Sequence, residues 1–178
     1  MKHTVTALLL LVLVLSFSGC RSRTDKSAGT VILSVSSFNQ LPIQISAKNG
    51  PFQIPTLQLT SVAKDPTGTT STLQTIELRS YEVTFTRRDT GTRVPPPLVA
   101  SLFGNITVGG TTTENNLPFM MSDQILNPPL LDLAQKGVDS ETGTAVVVLD
   151  VHMRFFGRTL AGDDIVSQTA SFTIDVTP

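Results

Sequence analysis

A single cysteine, Cys20, is all that this 178-residue chain offers for covalent cross-linking, so no internal disulfide can staple its fold. Tryptophan is absent and tyrosine occurs once. Only His3 and His152 are histidines, and with no second histidine or thiolate beside His152 a zinc site has no complete ligand set. No serine is marked by a nucleophile-elbow motif. An excess of either charge is absent as well: 13 Lys and Arg face 14 Asp and Glu, which gives nucleic-acid binding no electrostatic support. The apolar run Ala7 to Leu15 falls short of the roughly 20 residues that a bilayer-spanning helix needs. No catalytic signature rises above background, so the expectation is a protein that is not an enzyme and takes no cofactor and no metal.

What is present begins at the N-terminus. Met1-Lys2-His3 places a cation ahead of the apolar run, and Ser16-Phe17-Ser18-Gly19 follows it with narrow residues at Ser18 and Gly19. That order fits a secretory signal peptide over residues 1–19. Phe17-Ser18-Gly19-Cys20 resembles the bacterial lipobox, with Phe17 standing where that family most often has Leu. The resemblance implies a diacylglycerol on the Cys20 sulfur, cleavage just before it and a further acyl group on the freed amine. Two or more acyl chains hold a protein durably at a bilayer. Arg21 stands where lipoproteins retained in the inner membrane usually carry Asp, so the resemblance favours the outer membrane of a bacterial envelope.

Loss of residues 1–19 leaves 159 residues, one domain by length, with 12 basic and 14 acidic side chains. Arg21 to Ala28 is polar throughout, so residues 20–28 read as the lipidated cysteine and a tether, and 29–178 as the folded unit. There the dominant signal is period-two alternation rich in Val, Ile, Thr and Phe. Thr30 to Ser37, Thr56 to Lys64, Ile76 to Arg88, Leu98 to Val108, Thr112 to Met120, Thr144 to Phe156 and Ile165 to Val176 are predicted strands, the last two forming a terminal hairpin that turns through 157–164. Leu41 to Ala47 is a short strand that Pro42 confines to an edge. Within Ile76 to Arg88 the apolar parity slips near Arg79-Ser80, which predicts a bulge. Asn127 and Pro128 read as the start of a short helix stopped at Gly137. The sum is an all-β antiparallel sandwich of about seven or eight strands with one short helix. It resembles immunoglobulin and fibronectin type III domains, without the Cys and Trp pair of antibody domains, and that likeness carries no function.

The remaining candidates each have a plainer alternative. Asp65-Pro66-Thr67-Gly68-Thr69, Asp89-Thr90-Gly91-Thr92 and Asp139-Ser140-Glu141-Thr142-Gly143-Thr144 share a turn chemistry in which Asp bonds amides ahead of it and Gly takes a positive φ. Asp89-Thr90-Gly91 also spells the tripeptide of retroviral-type aspartic proteases, but the arginines before it favour an ionised turn residue. Asp150 and His152 share a strand face as a potential acid-base pair, with a surface histidine the better expectation. Asp163 and Asp164, joined to Asp139 and Glu141, are candidates for calcium without the ordered spacing of a calcium loop. Arg87, Arg88 and Arg93 suit either anion binding or protection of a strand edge, and Pro95-Pro96-Pro97 reads as a rigid connector. The most apolar loop region, Leu117 to Leu133, supplies the preferred partner contacts, Phe119, Met120, Met121, Ile125 and Leu126. The leading functional expectation is a noncatalytic, lipid-anchored envelope module that binds a protein partner. The alternative is a hydrolase or glycan-binding accessory domain using Asp150, His152 and the Asp163-Asp164 turn.

Overall fold

The computed structural model describes residues 29–39, 41 and 44–178, so Cys20, the signal segment and the tether lie outside the described residues. Nine strands are described: β1 (Val31–Asn39), β2 (Gln44–Ser46), β3 (Phe52–Ala63), β4 (Ile76–Arg87), β5 (Leu98–Ile106), β6 (Thr111–Met120), β7 (Val147–Thr159), β8 (Asp164–Val166) and β9 (Ala170–Thr177). They form the all-β sandwich that the alternation implies. One sheet has the order β1-β3-β6; the other runs β2-β9-β7-β4-β5, with β8 continuing the line of β9 alongside β7. All pairs are antiparallel except β2 with β9. The short β2 lies at an edge as expected, although Pro42 itself is outside the described residues.

The β7 strand shows why alternation is a reliable guide. Val147, Leu149, Val151, Met153 and Phe155 are all at 0% exposure, facing the other sheet, while Val148, Asp150, His152 and Arg154 face out. In β4 the predicted bulge is present: the register of both flanking pairs shifts between Leu78 and Ser80. The extra residue lets Ile76 and Leu78, then Tyr81, Val83 and Phe85, all point inward despite their opposite parity.

Aromatic contacts join the layers. Phe172 of β9 meets Phe119 of β6 and Phe38 of β1, each edge-on at 5.4 Å between centroids. Tyr81 of β4 is 1% exposed, and its hydroxyl donates across the core to Pro118 O of β6 at 2.8 Å. Burial pushes the Tyr81 phenol up to about 12.

Three expectations change in detail. The predicted terminal hairpin arm divides into β8 and β9, because Ser167 Oγ takes the Phe155 amide at 2.9 Å in place of a ladder carbonyl. Gly157 is not part of the turn but lies inside β7; a Cβ there would come within 2.6 Å of Glu77 O, so only glycine permits this approach of β7 to β4. Two short helices, Ser122–Ile125 and Leu130–Lys136, replace the single predicted one. Asn127 closes the first of them, its side-chain amide donating to Asp123 O at 2.6 Å, and the second starts only after Pro129. Its stop is as predicted, Gly137 taking φ 76°.

The sandwich has two unlike ends. At the near end the chain enters through Gly29 and Thr30, beside the turns at 61–64, 72–75, 107–110 and 159–164. The far end carries both helices and the loops before β5 and β7.

Candidate functional site

The densest polar assembly sits at the far end and begins with Arg87, the last residue of β4. Its side chain is 2% exposed and fully engaged. Nε and Nη2 donate to the two oxygens of Asp89 at 2.6 and 2.8 Å, a bidentate fork, and Nη2 also reaches Asp139 Oδ2 at 3.0 Å. Nη1 lies 3.5 Å from Glu141 Oε2. Glu141 in turn accepts the amides of Thr92 and Arg93 at 2.9 and 3.0 Å. Further ion pairs adjoin it, with Lys136 at 2.9 Å from Asp132 and Arg93 at 3.9 Å from both Asp132 and Glu141.

Two of the three similar turns noted in the sequence therefore converge on one guanidinium. All three use the expected bond from Asp to the amide two residues on: Thr67 N to Asp65 at 3.0 Å, Gly91 N to Asp89 at 3.0 Å, Glu141 N to Asp139 at 3.2 Å. The glycines differ, since among these turns only Gly143 takes a positive φ, 72°. Gly91 is glycine for another reason: a Cβ there would lie 2.1 Å from Arg87 Cζ, in the space the guanidinium fills. The Asp65 turn stands alone at the near end.

The electrostatics match this wiring. The Arg87 fork holds Asp89 below its usual range. Burial pushes the Asp139 carboxyl up, but the Thr142 hydroxyl, Arg87 and the Glu141 amide together outweigh it and leave it lowered. Bonds from Lys136 lower Asp132, and bonds from the Arg93 amide and Thr92 lower Glu141. The assembly acts as an ion-paired cross-link between the β4–β5 loop and the segment leading into β7. Arg87 clasps no external anion and is not an outward-pointing edge guard, because its side chain is 2% exposed and its donors are spent internally. Asp89, tied to that same guanidinium, is a turn residue here.

On the outer face of β7, His152 is held from both sides: Nε2 is 2.8 Å from Thr86 Oγ1 and Nδ1 is 2.7 Å from Ser171 Oγ. Asp150 accepts from Thr173 Oγ1 at 2.6 Å and Arg88 Nε at 2.9 Å, which lowers it. The two share a face as expected, but each is engaged with neighbouring strands. Arg154 pairs with Glu82 at 2.5 Å and lies over the Phe156 ring. The two acidic sets are not brought together: Asp139 and Glu141 precede the start of β7, Asp163 and Asp164 follow its end, and 13 residues of strand separate them by about 40 Å.

Of the partner-contact residues, Phe119 and Met120 are at 0% exposure and belong to the core, because the end of β6 turns both inward. Met121, at 38%, and Leu126, at 62%, do reach solvent. Ile125 and Leu126 line a cavity of about 190 Å³ with Lys48, Asn49, Gly50 and Ser122. Pro95 is buried and Pro97 exposed, with Pro97 O accepting from Gln124 Nε2 at 3.3 Å, so the triple proline is tied to the first helix.

One surface escaped the sequence reading. Phe103 on β5 is 83% exposed and lines a cavity of about 400 Å³ with Glu77, Leu78, Arg79, Gly104 and Asn105. The available signal was the outward parity of Val99 and Phe103 on a strand otherwise polar on that face.

No protein-family model matches the chain, and no curated protein matches it. Among solved structures it is similar to a protein described as late embryogenesis abundant, determined in solution, at 13% identity and a TM-score of 0.44, over 99% of this chain and 86% of that one. That likeness is too slight to bring a function to this chain.

Proposed function

We propose that this chain is a noncatalytic, lipid-anchored module of the bacterial cell envelope, fixed to the outer membrane through acyl chains on Cys20 and presenting its far end to an envelope protein. The observation that carries the reading is the signal segment ending in Phe17-Ser18-Gly19-Cys20. Support comes also from the use made of the charged candidates: Arg87, Asp89, Asp139, Asp150 and His152 are bonded into the scaffold. The far end suits display. Met121, Ile125 and Leu126 stand on a short helical segment whose neighbouring loops are braced by the Arg87 cross-link.

Two variants test it. Cys20→Ala is expected to move the protein from the membrane fraction to the soluble one, and retention would contradict the anchor. A photo-crosslinker at Leu126 is expected to capture one recurring envelope protein, and its failure to do so in native membranes would contradict the display.

A second reading, glycan binding, is favoured by the Phe103 cavity. An exposed ring can stack on the apolar face of a sugar while Glu77, Arg79 and Asn105 supply hydrogen bonds. Retention of the protein on cell-wall glycan, abolished by Phe103→Ala, would support it, and equal retention of both forms would remove it.

A further inference from the structure

Two leucines stand in solvent where the chain enters the sandwich. Leu73 is 57% exposed and Leu160 is 50% exposed. They ride on separate turns that bind each other, the Leu160 amide donating to Thr75 O at 3.0 Å and the Ala161 amide to Leu73 O at 2.9 Å. The turn at Thr72–Gln74 is braced from within: Ser71 Oγ accepts the Leu73 amide at 3.2 Å and Gln74 Oε1 accepts the Ser71 amide at 2.9 Å. Gln74 Nε2 then reaches Thr30 Oγ1 at 3.0 Å, which fixes the leucine pair beside the start of the folded unit. Gly29 is packed there against Ile165 and Asp163.

Chain length limits where this end can be. Eight residues lie between Cys20 and Gly29, nine steps along the chain, so in any conformation Gly29 lies within about 30 Å of the cysteine. The far end stands about 40 Å beyond, the length of β7.

We infer that the leucine-bearing near end is a lipid-docking surface. In the anchored protein Leu73 and Leu160 enter the boundary between head groups and acyl chains of the same bilayer that holds Cys20, and the helices point away from it. The inference rests on the lipid-anchor reading. The contact is apolar in character, because charge at this end is nearly balanced: Lys64 and Arg158 accompany Asp65, Asp163 and Asp164, and Arg158 Nε lies 3.6 Å from Asp164. It is therefore insensitive to salt, unlike a contact made by Arg21, Arg23 and Lys26 alone.

The test uses lipidated protein in phosphatidylethanolamine–phosphatidylglycerol vesicles. A thiol-reactive fluorophore is placed at Leu73→Cys, Leu160→Cys or, at the far end, Leu126→Cys; all three sites are exposed, and the Cys20 thioether leaves each new thiol unique. Doxyl-labelled lipid is expected to quench the labels at 73 and 160 and to leave the label at 126 bright, equally at about 0.1 M and about 1 M salt. Protein that floats with the vesicles but shows equal quenching at all three positions overturns the docking and leaves the anchor standing. Protein that does not float overturns the anchor and the docking with it.

Discussion

Replacing Arg87 with alanine removes the shared cation of three carboxylates. Asp139 has 0% side-chain exposure, so the variant retains a buried anion that keeps its bonds from Glu141 and Thr142 but has lost its counter-charge. Removing one partner of a buried pair costs about 3–5 kcal/mol. Asp89 is 20% exposed and can rehydrate, and Glu141 still holds the Thr92 and Arg93 amides, so about 3–4 kcal/mol is expected. For a domain of this size that is a fall in Tm of about 6–16 °C at pH 7. The pH dependence supplies the control. Asp89, Asp132, Asp139 and Glu141 are all lowered in the folded state, so their contribution is complete above the ordinary carboxylate range and is lost as pH falls through their folded values. The gap between wild type and variant should therefore narrow toward about pH 3. Urea and thermal unfolding followed by circular dichroism, in a Cys20→Ala background at both pH values, measure it. A loss below about 1 kcal/mol at pH 7, or a gap just as wide in acid, would refute the reasoning.

Gly157→Ala should cost about 3 kcal/mol, since its Cβ meets backbone at Glu77 O and neither strand can yield; a chemical denaturation midpoint close to wild type would show the approach is looser than described. Tyr81 is the sole tyrosine, so its ultraviolet titration is unambiguous and should lie near 12 in the folded protein. Because that value is raised, the phenol's contribution is complete below about pH 10 and is lost as pH rises through the folded value; Tyr81→Phe should cost about 1 kcal/mol through loss of the bond to Pro118 O. Burial also raises Glu114, whose contribution is thus present below its ordinary value and lost as pH rises, so Glu114→Gln should raise Tm at pH 7 and leave it unchanged in acid.

The strands and the β4 bulge were legible because both follow from side-chain parity, a local property of a few adjacent residues. The turn chemistry of Asp65, Asp89 and Asp139 was legible for the same reason. Their convergence was not: Arg87 and Asp139 lie 52 positions apart, and nothing in either turn marks the other. Phe119 and Met120 belong to the apolar stretch Leu117 to Leu133, whose composition alone does not separate a core strand end from an exposed loop; only the end of β6 in place shows that both point inward. The split of the last strand depends on one hydroxyl, Ser167 Oγ, replacing a ladder bond. The start of the second helix was displaced by a similar competition, in which Asn127 bonds backward to Asp123 instead of forward. The outward parity of Phe103 is a local signal, but the cavity beside it emerges only once β5 is known to lie against β4.

The account as a whole depends on the chemistry at residue 20. Intact mass and fragment spectra of the protein extracted from native membranes should show a mature chain beginning at Cys20 with diacylglycerol in thioether linkage to its sulfur. A free thiol at Cys20, or a mature chain that begins elsewhere, would contradict it.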